Sequence, residues 1–232
     1  MLSIIYNNKD SYDDFDLIME KYPSLPCTRA DYDNIEIEGR DGSLTVFKNF
    51  TDGELKIDFV IKDDMYLLNQ RSIIGWLNNV STNKEVVLSE NLALFYRVKQ
   101  ISISDIKHEK GLRKFTVTFK ADPFAYLVDG KKTVTLTNGA IVSNEGNYES
   151  RPVLTIRGTG SGTVTINGKS FSLSNIDGYV TIDSELNQAY KNNINKGKYM
   201  TGDFPVFFNG QNTISWTGGI TSVEAKCNWR CY

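Results

Sequence analysis

His108 is the only histidine in the 232-residue sequence, so a Ser-His-Asp or Cys-His arrangement for nucleophilic catalysis would have to use it. It lies in "DIKHEKG", a charged stretch typical of a hairpin loop, and nothing near it indicates a nucleophile elbow. A single histidine also excludes histidine-rich metal sites. We therefore predict a solvated loop histidine and no catalytic residue.

Three clusters of carboxylates are the next candidates for chemistry. They are Asp13, Asp14 and Asp16 in "SYDDFD", Asp31 and Asp33 in "RADYDN", and Asp63 and Asp64 in "KDD". None has the spacing of a calcium-binding loop with its terminal glutamate. Glycoside hydrolysis needs two carboxylates at a set distance in space, which a sequence does not give. We expect solvated acidic faces, with calcium binding and hydrolysis as the alternatives, and neither a metal site nor a cofactor.

Cysteines and glycines offer two further patterns. Cys27 stands alone, whereas Cys227 and Cys231 are four residues apart, about 13 Å in an extended strand and beyond disulfide reach. Structural or free thiols are favoured over a terminal bridge or a metal site. The run "GTGSGT", residues 158–163, lacks the Lys-Ser/Thr of a phosphate-binding loop, so we interpret it as a flexible hairpin tip.

Aromatic residues in "GDFPVFFNGQNTISWTG", residues 202–218, are the strongest binding candidates. Asn209-Gly210 is typical of a two-residue type I′ turn, which predicts a hairpin carrying Phe207, Phe208 and Trp216. These rings could fill a core, meet a neighbouring subunit or form a sugar-binding platform. Because strand residues two apart share a face, Trp216 should point with Ile214 into the core.

The elements that position these residues are mostly strands. Seven Asn-Gly or Asp-Gly dipeptides punctuate the sequence, and runs such as "ELKIDFVI", "KFTVTFKA" and "GTVTI" alternate with period two. "EGRDG", residues 38–42, should turn between "NIEI" and "SLTVF", and Asn167-Gly168 should close a hairpin. The sequence thus indicates a mainly β protein.

One helix interrupts the strands. Residues 65–80 place Ile73, Ile74, Leu77 and Val80 on one helical face, with Ser72 as a candidate N-cap. A shift in composition near residue 130 divides the chain into domains at 1–130 and 131–232.

Charge and hydropathy narrow the function classes. A formal net charge of −2 gives no electrostatic reason to bind nucleic acid or an anionic membrane. No apolar run approaches the length of a spanning helix, and the first residues lack the features of a secretion signal. We expect a protein that stays in the cell or leaves it by lysis.

The order of several segments resembles the distal tail (Dit) proteins of long-tailed, siphovirus-type bacteriophages. The segments are the turn at residues 39–42, the helix ending in Trp76-Leu77 with the following strand that contains Ser89 and Tyr96, "KFTVTFKADPFAY", "NEGNYESRPVLTIRG", "TIDSELNQAY", "GDFPVFFNGQNTISWTG" and Asn228-Trp229-Arg230. The resemblance covers essentially the whole chain. It is to the short form of the family, without inserted carbohydrate-binding modules.

That resemblance implies a structural virion protein rather than an enzyme. The N-terminal domain, with a β-hairpin extension, would assemble six copies into a ring around a channel for DNA. The C-terminal domain would be a galectin-like β-sandwich. Partners would be further copies, the tail tube protein, the tape-measure protein, a tail-associated lysin or tail-tip protein and a receptor-binding protein. The alternative is a carbohydrate-binding adhesion module that recognises host cell-wall glycan.

Overall fold

The computed structural model describes residues 1–79 and 84–232, and these residues form a mainly β protein with two compact units. One unit comprises Met1–Ala125 with Tyr232, and the other comprises Tyr126–Cys231. The predicted mainly β, two-domain fold class is confirmed. The division lies five residues before the predicted position at 130. Residues after it are held in the second unit by hydrogen bonds from Leu127 N to Trp229 O (2.9 Å) and from Asn228 N to Gly130 O (2.8 Å).

Ten strands and one helix build the first unit from its described residues. In chain order they are β1 Ile4–Tyr6, β2 Lys9–Asp10, β3 Ile18–Met19, β4 Arg29–Glu36, β5 Ser43–Thr51, β6 Gly53–Lys62, α1 Asp63–Leu77, β7 Glu85–Leu88, β8 Leu94–Ile103, β9 Lys107–Glu109 and β10 Leu112–Leu127. The main sheet has the order β2-β1-β7-β8-β10-β6-β3, with β9 paired to β10. Strands β4 and β5 form a separate two-stranded sheet.

Alternation along β6 shows how this sheet makes a core. Leu55, Ile57, Phe59 and Ile61 are fully buried, while the residues between them face outward. Helix α1 covers the buried face, and its Trp76 anchors it there. The indole Nε1 donates a hydrogen bond to the carbonyl oxygen of Tyr6 (2.7 Å) while the ring stacks on Phe15 at 4.7 Å.

Helix α1 begins earlier than its sequence pattern predicted. Asp63 and Asp64 occupy the first turn, where carboxylates interact favourably with the helix dipole, and Ser72 lies inside the helix. The prediction of Ser72 as N-cap is therefore wrong, and Lys62 holds that position without a side-chain cap. Of the residues predicted to share one helix face, Ile73 and Leu77 are buried and Ile74 is exposed. The fourth, Val80, lies outside the described residues. Among the described residues, no helix has the length and apolar character to cross a membrane.

The second unit is built from nine further strands. They are β11 Thr133–Leu136, β12 Ala140–Asn144, β13 Val153–Ile166, β14 Lys169–Asp183, β15 Gln188–Lys191, β16 Ile194–Asn195, β17 Met200–Thr201, β18 Gly210–Lys226 and β19 Arg230–Cys231, with short 3-10 helices at Val128–Lys131 and Gly197–Tyr199. The sheet order is β11-β18-β13-β14-β15-β16, and β12 and β17 pair with β18 and β14.

Glycines fold this sheet over on itself. Strands of 14 to 17 residues would each be about 45–58 Å long if straight, far longer than such a small unit. The β13–β18 register shifts between Gly158 and Gly162, where a Cβ on Gly219 would lie 1.8 Å from the Thr159 carbonyl oxygen. The interpretation of residues 158–163 as a hairpin tip is therefore wrong, since they form a bend inside β13. Side chains before and after the bend share one core.

Two Asn-Gly dipeptides behave differently in the second unit. Asn167 (φ 50°) and Gly168 (φ 77°) join Ile166 to its partner Lys169 as a two-residue hairpin, so that prediction is confirmed. At Asn209-Gly210 the predicted hairpin is wrong, because β18 pairs with β12 and β13 rather than with the preceding segment.

Asn212 shapes the chain after that second dipeptide. Its side chain is fully buried, and its Oδ1 accepts hydrogen bonds from Phe208 N and Asn167 Nδ2, both at 2.7 Å. Its Nδ2 donates to the carbonyl oxygens of Phe208 and Gly210, both at 2.9 Å. The hydrogen bonds of this buried amide therefore hold residues 208–210 in place, where the dipeptide had predicted pairing between two strands.

We expect Trp216→Ala to lower the free energy of unfolding of the second unit by about 3–5 kcal/mol, because Trp216 is only 8% exposed in the core. Phe208→Ala is the matched control, since that ring is 43% exposed and its loss should change stability by less than about 0.5 kcal/mol. Chemical denaturation measures both values. Equal effects of the two substitutions would contradict the assignment of Trp216 to the core.

We also expect the native protein to react with iodoacetamide at Cys27 but not at Cys227. Cys27 is exposed, whereas burial raises the pKa of the Cys227 thiol to about 12 from 9.0. The reactive thiolate is then about a thousandfold scarcer at mildly alkaline pH, and the sulfur is inaccessible. Mass spectrometry of native and denatured samples gives the readout. Labelling of both residues at one rate in the native protein would contradict the buried position of Cys227.

Candidate interaction surface

His108 lies in β9, two residues before the Lys110–Gly111 turn that leads into β10. The predicted hairpin is therefore present, but the prediction of a loop histidine is wrong, because His108 pairs with Arg113 within the sheet. Its Nε2 is 3.6 Å from Asp63 Oδ2, and Arg113 donates a hydrogen bond to the other oxygen of the same carboxylate. The Arg113 guanidinium also lies over the Tyr66 ring at 5.6 Å. The cluster connects the start of α1 to β9 and β10, which is a structural task, and it includes no nucleophile.

The other acidic clusters are also occupied by local contacts. Asp14 accepts a hydrogen bond from Asp10 N (2.8 Å), and Asp64 accepts one from Met65 N (2.9 Å). Lys48 lies 4.0 Å from Asp31 and 3.3 Å from Asp33. In the part of the chain that the structure describes, no three His, Cys, Asp or Glu side chains converge as metal ligands would.

The aromatics of residues 202–218 divide between core and surface. Phe207 is fully buried against Trp229 at 5.6 Å, and Trp216 belongs to the same core. Phe208 alone of the three is exposed, beside the Lys169 ammonium. These three rings therefore form no common platform for a sugar.

An uncovered apolar surface lies on a β-hairpin in the first unit, residues 29–51, which we call the arm. It consists of β4, the turn at residues 37–42 and β5, and the turn confirms the prediction made for "EGRDG". Every residue from 32 to 49 is exposed, although many of them are apolar or aromatic. Surface of this kind in a folded protein marks an interaction site.

The two faces of the arm differ in chemistry. Ile35 pairs with Leu44 and Asp33 with Val46, so these side chains share one face, and alternation adds Ile37. We call Ile35, Ile37, Leu44 and Val46 the apolar strip, whose members are each 40–48% exposed. The other face carries the Tyr32–Phe47 pair near the base and polar pairs such as Asn34–Thr45 towards the tip. The arm is thus amphipathic, and its apolar face is exposed to solvent.

The base of the arm is fixed to the body of the first unit. Phe50 packs against Phe124 at 5.2 Å and Tyr232 at 5.7 Å. Lys99 bridges Asp52 (2.6 Å) and Asp122 (3.0 Å) below it. Burial lowers the pKa of Lys99, but hydrogen bonds to the two carboxylates outweigh it, and the net pKa is raised. The anchored base holds the arm out as a defined projection.

The tip of the arm is acidic. Glu36, Glu38 and Asp41 lie at or beside the turn, together with Arg40. Among the described residues, none of the three carboxylates has an ion pair or a side-chain hydrogen bond. Strip and tip together form a surface suited to a protein partner with an apolar face beside positive charge. The sequence indicates the two strands here but not that one face is uncovered, because alternation alone does not show what a face contacts.

Comparison with known proteins shows which family model and which solved structures this chain resembles. Residues 13–121 match the family model of the phage tail protein RIFT-related domain. The structure of SPP1 Dit, described as a paradigm of the hub adsorption apparatus in phages that infect Gram-positive bacteria, matches with a TM-score of 0.66 and 15% identity over 97% of this chain and 98% of that one. A chain of the phage P2 baseplate in its activated conformation matches with a TM-score of 0.49 and 10% identity over 97% of each chain. No curated protein sequence matches.

The match to the family model spans most of the first unit, including the arm. The SPP1 Dit match extends over both units. The resemblance seen in the sequence is thereby confirmed: residues 13–121 match the phage tail protein RIFT-related domain, and the chain as a whole has a fold similar to that of SPP1 Dit.

Proposed function

We propose that this protein is a structural hub at the distal end of a phage tail. Six copies assemble through their N-terminal domains into a ring whose central channel continues the tail tube. The ring holds the tail tip or baseplate and passes DNA during infection without binding it. The near-neutral net charge of −2 suits such a channel, because a strongly basic lumen would retain the phosphate backbone.

The observation that carries this proposal is the uncovered apolar strip on an anchored arm, within a phage tail domain. A hairpin of two strands has little stability of its own in water, and apolar side chains left in water oppose it further. Contact with another chain removes both difficulties. In a hub, the nearest available chain is the next copy of the same protein.

The remaining partners follow from the position of a distal tail protein. They are the tail tube protein and tape-measure protein on one side, and a tail-associated lysin or tail-tip protein and a receptor-binding protein on the other. The protein would be made in the cytoplasm of the bacterial host and located in the virion. No catalytic role is proposed, because the histidine and the acidic clusters are engaged in structural contacts.

The alternative of a carbohydrate-binding adhesion module depended on the aromatics of residues 202–218. Phe207 and Trp216 lie in the core of the second unit, so they could stack on a sugar ring only if that unit unfolded. The galectin-like assignment of this unit therefore supports no sugar binding by those residues.

We expect the purified protein to form six-membered rings with an open centre as its concentration rises. Light scattering across a concentration series gives the mass, and negative-stain images of the same samples give the symmetry. A protein that stays monomeric and binds purified host cell-wall polysaccharide would contradict the hub and favour the adhesion module.

We expect the paired change Ile35→Asp and Leu44→Asp to abolish ring formation, because it places two charges in the apolar strip. The melting temperature of the monomer should hardly change, since both side chains are already exposed to water. The matched control is Asn34→Asp with Thr45→Asp, the adjacent cross-strand pair on the opposite face. Loss of rings in the control, or their persistence in the strip variant, would show that the strip is not the assembly surface.

A further inference from the structure

Helix α1 carries a second apolar surface that the described residues 1–79 and 84–232 leave uncovered. Tyr66, Ile73, Trp76 and Leu77 face the core of the first unit. On the opposite side, Leu67 is 60% exposed, Leu68 77% and Ile74 37%. Leu67 and Ile74 are seven residues apart and lie along one helix face over about 10 Å, with Leu68 beside Leu67, and we call these three side chains the helix stripe.

Gly75 lies next to the helix stripe and lacks an explanation inside the chain. A Cβ added there would meet nothing within 4 Å, so no packing contact in the described structure requires glycine. Glycine in an exposed helix interior destabilises the helix relative to alanine. It does allow the backbone of another chain to approach closely. The flat surface it makes beside Leu68 and Ile74 is suited to a β-strand of a partner.

Side chains of both charges lie at the N-terminal end of the helix stripe. Asp63, which Arg113 pairs, Asp64 and Glu109 are negative, and two lysines are positive. Lys62 immediately precedes α1, and Asp63 N donates a hydrogen bond to Gly111 O (2.8 Å), which brings the β9–β10 turn with Lys110 to the same end. Arg71 lies between Leu67 and Ile74. In the described ranges 1–79 and 84–232, Lys62, Lys110 and Arg71 have no ion pair.

We propose that the arm of one copy docks on helix α1 of the next copy, with the apolar strip on the helix stripe and the acidic tip at Lys62 and Lys110. This inference rests on the proposed ring and names its contact. The apolar strip extends about 13 Å from Ile37 to the Asp33–Val46 pair, close to the length of the helix stripe. The direction follows from ion pairs between the acidic tip and Lys62 and Lys110, which lie at the start of α1.

The two surfaces are well separated on one chain. The arm ends next to the start of β6, whereas α1 begins at the other end of that 10-residue strand, about 30 Å away. Two different surfaces that pair between copies make a heterologous interface, which propagates from copy to copy until it closes into a ring. An arm-to-arm contact would instead end at a dimer.

Complementation between two defective variants tests the pairing. The arm variant carries Ile35→Asp with Leu44→Asp, and the helix variant carries Leu67→Asp with Leu68→Asp. Each should sediment as a monomer, because each lacks one half of the contact. An equimolar mixture should form a 1:1 dimer and nothing larger, since only one intact arm and one intact helix remain to pair. Sedimentation velocity measures all three samples.

Disulfide trapping tests the direction of docking. In a background with Cys27→Ser and Cys231→Ser, the pair Ile37→Cys with Leu67→Cys should give a ladder of linked chains on oxidation. The pair Ile37→Cys with Ile74→Cys is the control, because it joins the tip of the arm to the wrong end of the helix stripe. At least a tenfold higher yield is expected for the first pair. Equal yields would overturn the direction of docking.

The outcomes separate this inference from the proposed function. If wild-type rings form and the helix variant still makes them, the arm docks elsewhere and the inference fails while the hub stands. If both variants are monomers and their mixture is too, the two surfaces do not meet and the inference again fails. If the wild type never self-associates, the ring itself fails and the arm–helix contact fails with it.

Discussion

The apolar strip of the arm is the feature on which the proposed function depends. Burial of apolar surface is the main favourable term in folding, and here four aliphatic side chains remain in water on a hairpin that is only two strands thick. The chain nevertheless fixes the base of that hairpin with the Phe50–Phe124–Tyr232 cluster and the Lys99 ion pairs. A rigid base under an uncovered surface is useful when another molecule supplies the cover. The first unit is therefore folded, while the apolar strip on its arm is left exposed.

Local signals in the sequence were sufficient for part of this fold. Asn167-Gly168 makes its hairpin because both residues take positive φ and the two strands follow directly. Asn209-Gly210 has the same type of signal, yet β18 pairs with strands far away in sequence, and the buried amide of Asn212 stabilises the intervening turn. A turn dipeptide therefore predicts a turn, but long-range pairing decides whether the turn closes a hairpin. The bend of residues 158–163 shows the same limit, because only the close approach of Gly219 shows its purpose.

The candidate surface was harder to predict than the fold. The alternation in "NIEIEGRDGSLTVF" indicates two strands and a turn, which the structure has. It does not show whether Ile35, Leu44 and Val46 enter a core, and in the structure they are exposed. Which face of a strand is covered depends on the rest of the sheet, and β4 and β5 form a sheet by themselves. Conversely, His108 and the acidic clusters are residue types that catalytic and metal sites use. In the structure they contact neighbouring side chains and backbone groups instead.

An exposed apolar hairpin must also avoid the wrong partners. Its outer edges offer unpaired backbone groups, and such edges recruit strands from other chains without selectivity. The arm limits this with a bulge between Asp31 and Tyr32, with Lys48 between two aspartates, and with three carboxylates at or beside its tip. Like charges at the tips repel two arms that meet end to end, so a contact between identical surfaces is disfavoured. A surface that combines apolar area with positive charge is favoured instead, and electrostatic complementarity of this kind contributes more to selection and orientation than to affinity. In the proposed contact between copies, the acidic tip selects the partner face and the apolar strip supplies the binding energy.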